Sequence, residues 1–201
     1  MRRRLEYEKP PSHKQKIGTC GAKKRSTIGA GNEKNAAMNV VVIRHPRENL
    51  KKCSLRHLHG RPNFEFLTAS DGFSFDASGF TLLEIGAPEM SPADADRPVL
   101  LLDSTWHLLP RIRNKVFGNF VSRSLPPSIK TAYPRVSKMH SDPHGLATVE
   151  ALYAALKFAG TPDIEILRGY MFAPKFLQLN GWLSDAPDGF FDTPERFYRF
   201  E

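Results

Sequence analysis

The stretch Val99-Leu100-Leu101-Leu102-Asp103-Ser104-Thr105-Trp106 decides how this chain is read. Four consecutive apolar residues leave no polar side for water, so they predict a central strand covered on both faces. Such strands belong to α/β folds with a mainly parallel sheet. A carboxylate, two hydroxyls and a tryptophan follow the apolar run directly. Ligands of open α/β sheets bind beyond the carboxyl ends of the strands, so Asp103 stands where chemistry is expected. A plainer role fits the same residues: Asp103 caps a following helix and Trp106 joins the core.

Outward from this strand, periodicity supplies the other elements. Met38 to Ile43 is a β-branched run that Pro46 ends. Residues 64–67 and 80–85 read as further strands, with turn chemistry at Ser70-Asp71-Gly72 and Asp76-Ala77-Ser78-Gly79 between them. Leu50 to Leu58 is a short basic segment compatible with helix. Ser91-Pro92 has the composition of a helix start. Residues 119–122 suggest a strand and 129–132 an extended piece. Leu146 to Ala159 is the strongest helix, with Leu146, Val149, Leu152, Tyr153 and Leu156 on one stripe and Gly160 as its stop. Ile164 to Leu179 carries a second helical pattern that Pro174 kinks or breaks. Residues 185–201 read as a packed aromatic tail.

The chain has 201 residues, 29 Lys and Arg, 21 Asp and Glu, and a net charge of +8. That charge is uneven. Residues 1–35 carry a net +7, 36–103 a net −2, 104–138 a net +7 with no acid, and 139–201 a net −4. The first block lacks apolar periodicity and reads as a disordered basic arm. The second basic block, Ser104 to Lys138, lies between folded segments and suggests a surface for a polyanion. Arg123, Lys130, Arg135 and Lys138 are its candidates for holding a polyanion. The chain thus divides into the arm at 1–35, an N-terminal α/β part at 36–95 and a second part at 96–201.

Several classes are disfavoured. No apolar run approaches the ~18 residues of a membrane helix. Met1-Arg2-Arg3-Arg4 lacks the apolar stretch of a secretory signal. Two cysteines cannot build a disulfide framework, which suits a cytoplasmic protein. Glycine-rich dinucleotide and phosphate loops are missing, as is a nucleophile elbow. Cys53, His57 and His59 are too irregular a set to predict a metal. A second ligand site is suggested at Gly145-Leu146-Ala147-Thr148, where a helix start offers unpaired N–H groups to an anion and Thr148 a hydroxyl.

Four segments, in order, resemble one family. Lys51-Lys52-Cys53-Ser54 is similar to its Lys-Lys-Cys-Thr element. Leu102-Asp103-Ser104-Thr105-Trp106 is similar to its Asp-x-Thr-Trp motif. Arg123-Ser124-Leu125-Pro126 with Thr131-Ala132-Tyr133-Pro134 resembles its Leu-Pro and Asn-Pro loop, and Leu146 to Leu152 its Leu-Ser-Thr-Val-Glu-Ala helix start. The family is that of the small-subunit rRNA aminocarboxypropyltransferases, related to the DTW-domain transferases of tRNA uridine. The chain departs from it at Tyr133-Pro134, at Leu55 where the family has Gly, and in lacking the cysteine-rich N-terminal cluster of many DTW-domain proteins.

The resemblance implies a SPOUT-like fold with a trefoil knot and S-adenosylmethionine (SAM) as co-substrate, bound within 96–201. It places Ser54 at the ribose, Leu102, Trp106 and Leu125 around the adenine and methionine, His144 at the amino group and Thr148 at the carboxylate. Asp103 is then the candidate proton acceptor for a uridine or pseudouridine ring nitrogen. The alternatives are tRNA as the acceptor, methyl transfer, and a non-catalytic ribosome assembly factor. Oligomeric state is open.

Overall fold

The computed structural model describes residues 39–49, 53–134 and 145–192. The basic arm, Lys51-Lys52, Arg135, Lys138, His144 and the tail from 193 lie outside the described residues.

Five strands form the main sheet: β1 (Val40–Arg44), β2 (Phe64–Thr68), β4 (Thr81–Leu83), β5 (Val99–Asp103) and β7 (Val121–Arg123), in the order β2-β1-β5-β4-β7. All pairs are parallel, and strands from both sides of residue 95 share the sheet. β5 is central, as its unbroken apolar run predicts, and Val99, Leu100 and Leu101 are buried. A second, two-stranded parallel sheet pairs β3 (Phe75–Asp76) with β6 (Val116–Phe117). Its strands are too short for periodicity to reveal. Gly118 turns the chain beside it at φ 102°, and a Cβ there would lie 2.2 Å from Asp76 Oδ1.

Side chains alternate between two cores. Val40, Val42, Val99 and Leu101 face the larger one, with α2 (Thr148–Phe158) and α3 (Ala173–Asn180). Val41, Ile43 and Leu100 face the smaller one, with Ile112 of α1 (Leu109–Arg113). The helical pattern from Ile164 does break in two. A 3₁₀ turn spans Ile164–Leu167, and Pro174 opens α3, where a missing N–H costs nothing. Gly181 ends α3 in the left-handed region. Three other expectations shrink. Of the segment from Leu50 to Leu58 the described residues, 53–58, are helical only as a 3₁₀ turn at Arg56–Leu58, Ser91-Pro92 starts a 3₁₀ turn rather than a longer helix, and 129–132 forms no strand. Among the described residues, no helix is long and apolar enough to cross a membrane.

Candidate active site

Parallel register brings the site together. Arg44 ends β1 and Asp103 ends β5, and the two are direct partners in the sheet. Both follow the alternation that points Val42 and Leu101 at the larger core, so their side chains emerge on the α2 side at the carboxyl edge. Arg44 Nε donates to Asp103 Oδ2 at 3.0 Å, and the two side chains are only 6% and 13% exposed. Cys53 Sγ donates to the same oxygen at 3.3 Å, and Thr148 Oγ1 to Oδ1 at 2.8 Å. Arg44 Nη2 reaches Cys53 Sγ at 3.2 Å. Burial, and then the Asp103 carboxylate, push the Cys53 thiol up to about 12, so it is a neutral donor at physiological pH.

A carboxylate has about four lone-pair sites. Among the described residues Asp103 uses three, two on Oδ2 and one on Oδ1. One position on Oδ1 is left for a ligand N–H, an ammonium or a proton. The group is fixed, and Arg44 balances its charge.

The two roles weighed for Asp103-Ser104-Thr105-Trp106 now separate. Asp103 caps no helix, since α1 starts only at Leu109, and Trp106 is 37% exposed. The turn is held by Glu48, whose Oε1 accepts from the Ser104 hydroxyl at 3.1 Å and the Thr105 N–H at 2.8 Å. Ser54 also arrives here: its Oγ accepts from the Val149 N–H at 3.3 Å, in the first turn of α2. Ser54, Asp103 and Thr148 therefore meet from three distant segments. Leu102 and Leu125 do not share a face. Leu102 packs with the smaller core and Leu125 with the larger.

The anion site at the start of α2 is narrower than the sequence suggests. The N–H of Ala147 donates to Glu150 at 2.9 Å and that of Val149 to Ser54, while the Thr148 hydroxyl serves Asp103. Glu150 is fully buried and takes four neutral donors: the Thr131 hydroxyl at 2.6 Å, the N–H groups of Ala132 and Ala147 at 2.9 Å, and the Tyr170 hydroxyl at 3.0 Å. It ties residues 131–132 and 147 to one point. Burial and the nearby Glu150 charge push the Tyr170 hydroxyl upward, which keeps it a donor.

The basic block changes character in three dimensions. Arg123 Nε donates to both oxygens of buried Asp94, at 3.0 and 2.9 Å. Burial opposes the charge on Asp94, but Arg123 and the Ser91 N–H hold its carboxyl below the usual range. Arg113 pairs with Glu84, and Lys115 donates to the Ser70 carbonyl at 2.6 Å. Lys130 is exposed, its backbone fixed by two hydrogen bonds to the Asn180 amide, each 2.9 Å. Arg123 is thus turned inward, away from the polyanion-holding role expected of it, because Asp94 supplies the acid that its own segment lacks. Cys53 and His59 both meet the Arg44 guanidinium, a cation where a metal would have to sit, and His57 points elsewhere. His57 Nε2 bonds the Ile166 carbonyl at 2.7 Å, and no three potential ligands among the described residues are arranged to hold a metal.

No role for Arg44 or Glu48 is read from the sequence, and Glu150 enters only as a member of the Leu146 to Leu152 motif, with no role of its own. The signals were present only in part: an arginine closing a β-branched strand, and a glutamate two residues after Thr148.

No protein-family profile matches the chain, and no curated protein does. Among solved structures, the fold resembles that of the SAM-dependent rRNA:acp-transferase Tsr3 from Vulcanisaeta distributa. The TM-score is 0.54 and the identity 24%, over 74% of this chain and 85% of that one. The likeness establishes that the chain shares the α/β fold of Tsr3.

Proposed function

We propose that this protein transfers the 3-amino-3-carboxypropyl group of SAM to a uridine or pseudouridine of ribosomal RNA, in ribosome biogenesis. The observation that carries the reading is the convergence of Ser54, Asp103 and Thr148 at the carboxyl edge of β5. The fold shared with an rRNA:acp-transferase supports it. The SPOUT-like class and the trefoil knot belong to the same reading.

The donor set fits SAM. The co-substrate carries a sulfonium, which suits the fixed negative charge of Asp103, while the one acceptor position left on that carboxylate is kept for the ring N–H of the acceptor base. Ser54 accepts from Val149 but keeps its own O–H for a ribose oxygen. Thr148 stands by the methionine carboxylate in this reading, with its backbone N–H as the donor, since its hydroxyl proton goes to Asp103. Trp106 and Leu125 supply apolar walls, and Leu102 contributes through its backbone, since its side chain faces the other core. His144 completes the set by resemblance.

SAM has three carbons open to attack, so orientation decides which group leaves. In the proposed reaction a ring nitrogen bonds to the side-chain carbon of the methionine moiety, that carbon–sulfur bond breaks, and sulfur leaves as a neutral thioether. The ring-nitrogen proton passes to the open position on Asp103. Lys130, with Arg135 and Lys138, would hold RNA phosphates, and the 1–35 arm would add non-specific affinity.

The test is incubation with total RNA and SAM labelled on either the methyl or the carboxyl carbon, followed by size fractionation. Carboxyl label in small-subunit rRNA is expected. Methyl label alone would make the protein a methyltransferase, and label confined to tRNA would move it to the DTW-type activity.

A further inference from the structure

His59 lies beside the Asp103 cluster and has no part in the reading so far. It follows the 3₁₀ turn at Arg56–Leu58, and its ring stacks on Phe66 with centroids 3.9 Å apart and planes 15° apart. The Arg44 guanidinium lies over the same Phe66 ring at 5.2 Å. Its Nη1 is 3.4 Å from His59 Nε2. One buried guanidinium therefore grips both Asp103 and His59.

That contact sets the tautomer. Arg44 only donates, so Nε2 is the acceptor and the proton sits on Nδ1. Partial burial, then the Arg44 charge, hold the imidazole below its usual basicity, so it is neutral at physiological pH. His59 itself is exposed. It is a stacked, oriented and neutral N–H donor at the rim of the site. No hydrogen-bond partner for Nδ1 occurs among the described residues. A neutral donor suits a neutral acceptor; a phosphate would be better served by a cation.

We propose that His59 is a substrate-contacting residue that donates from Nδ1 to a carbonyl oxygen of the acceptor base. This rests on the reaction proposed above. The contact would orient the base while Asp103 takes its ring-nitrogen proton.

Three variants of the full chain separate the hydrogen bond from the stacking. His59→Gln keeps both an acceptor for Arg44 and a donor for substrate. His59→Phe keeps only the ring on Phe66. His59→Ala keeps neither. Each is assayed for SAM affinity by calorimetry, for binding of small-subunit rRNA purified from cells lacking this protein at several salt concentrations, and for single-turnover transfer to that RNA from carboxyl-labelled SAM. SAM affinity is expected to stay within about twofold throughout, while RNA affinity and transfer fall about tenfold in His59→Phe and His59→Ala and largely recover in His59→Gln. The salt slope should not change, because a neutral contact releases no counterion.

Wild-type transfer by His59→Phe would overturn the proposal. So would a parallel loss of SAM affinity, or a flatter salt slope, which would indicate a phosphate contact. If the wild-type protein transfers only methyl label, the reaction reading fails instead. The ranking of the three variants in RNA affinity then still decides the role of His59.

Discussion

Arg44 and Arg113 each pair with a carboxylate, yet they belong to different kinds of region. Arg44 lies in a net acidic part of the chain, is almost fully buried and shares Asp103 with Cys53 and Thr148. Arg113 lies in the acid-free segment, and it and its partner Glu84 are half-buried. The first pair was brought together by strand register across 59 residues. The second belongs to a segment whose sequence advertised charge, and three of its seven cations, Arg113, Arg123 and Lys115, are engaged with Glu84, Asp94 and the Ser70 carbonyl. Charge density along a sequence is therefore a poor guide to where charge is concentrated in space. The edge of a parallel sheet is a better one.

The contrast can be broken or sharpened by substitution. The largest effect is expected for Arg44→Met, which strands a nearly buried carboxylate and should cost about 3–5 kcal/mol in urea unfolding. Glu150→Gln should cost about 2–3 kcal/mol, because an amide –NH₂ would face buried donors that now share four acceptor sites. A milder effect is expected from alkali. The Cys53 thiol is raised from 9.0 to about 12, so the fold favours its protonated form. That contribution is present in full below pH ~9 and is lost as pH rises toward 12. Stability across that window should fall less in Cys53→Ala than in the wild type. Arg113→Met should cost about 1 kcal/mol, since its pair with Glu84 is only partly buried and solvent still reaches both side chains. A loss as large as that of Arg44→Met would erase the distinction between the two regions.

Much of this fold was legible. The apolar run at 99–102 marked the central strand because burial on both faces leaves no room for polar alternation. The stripe at 146–156 marked α2, and Pro174 marked a break. The small β3–β6 sheet and the short α1 were not legible, since two to five residues carry no period. Of the candidate site, Asp103, Ser54 and Thr148 could be found by motif, and they do meet. What holds them could not. Arg44 acquires its meaning only from the parallel register that sets it against Asp103. Arg123 loses its expected freedom only because a 3₁₀ turn at Pro92–Asp94 presents Asp94 to it. Pairings over tens of residues are decided by topology, which local pattern does not encode.

The central claim is that Asp103 accepts a proton during group transfer, and one variant tests it most directly. In Asp103→Asn the amide oxygen still accepts from Arg44 and Cys53, and the Thr148 hydroxyl can turn to accept from the amide –NH₂, so the site keeps its shape, but the group no longer takes up a proton. Single-turnover transfer from carboxyl-labelled SAM to rRNA should slow by about 10²–10⁴-fold, while SAM affinity measured by calorimetry stays within about fivefold. Transfer at the wild-type rate would contradict the account and remove Asp103 from the chemistry.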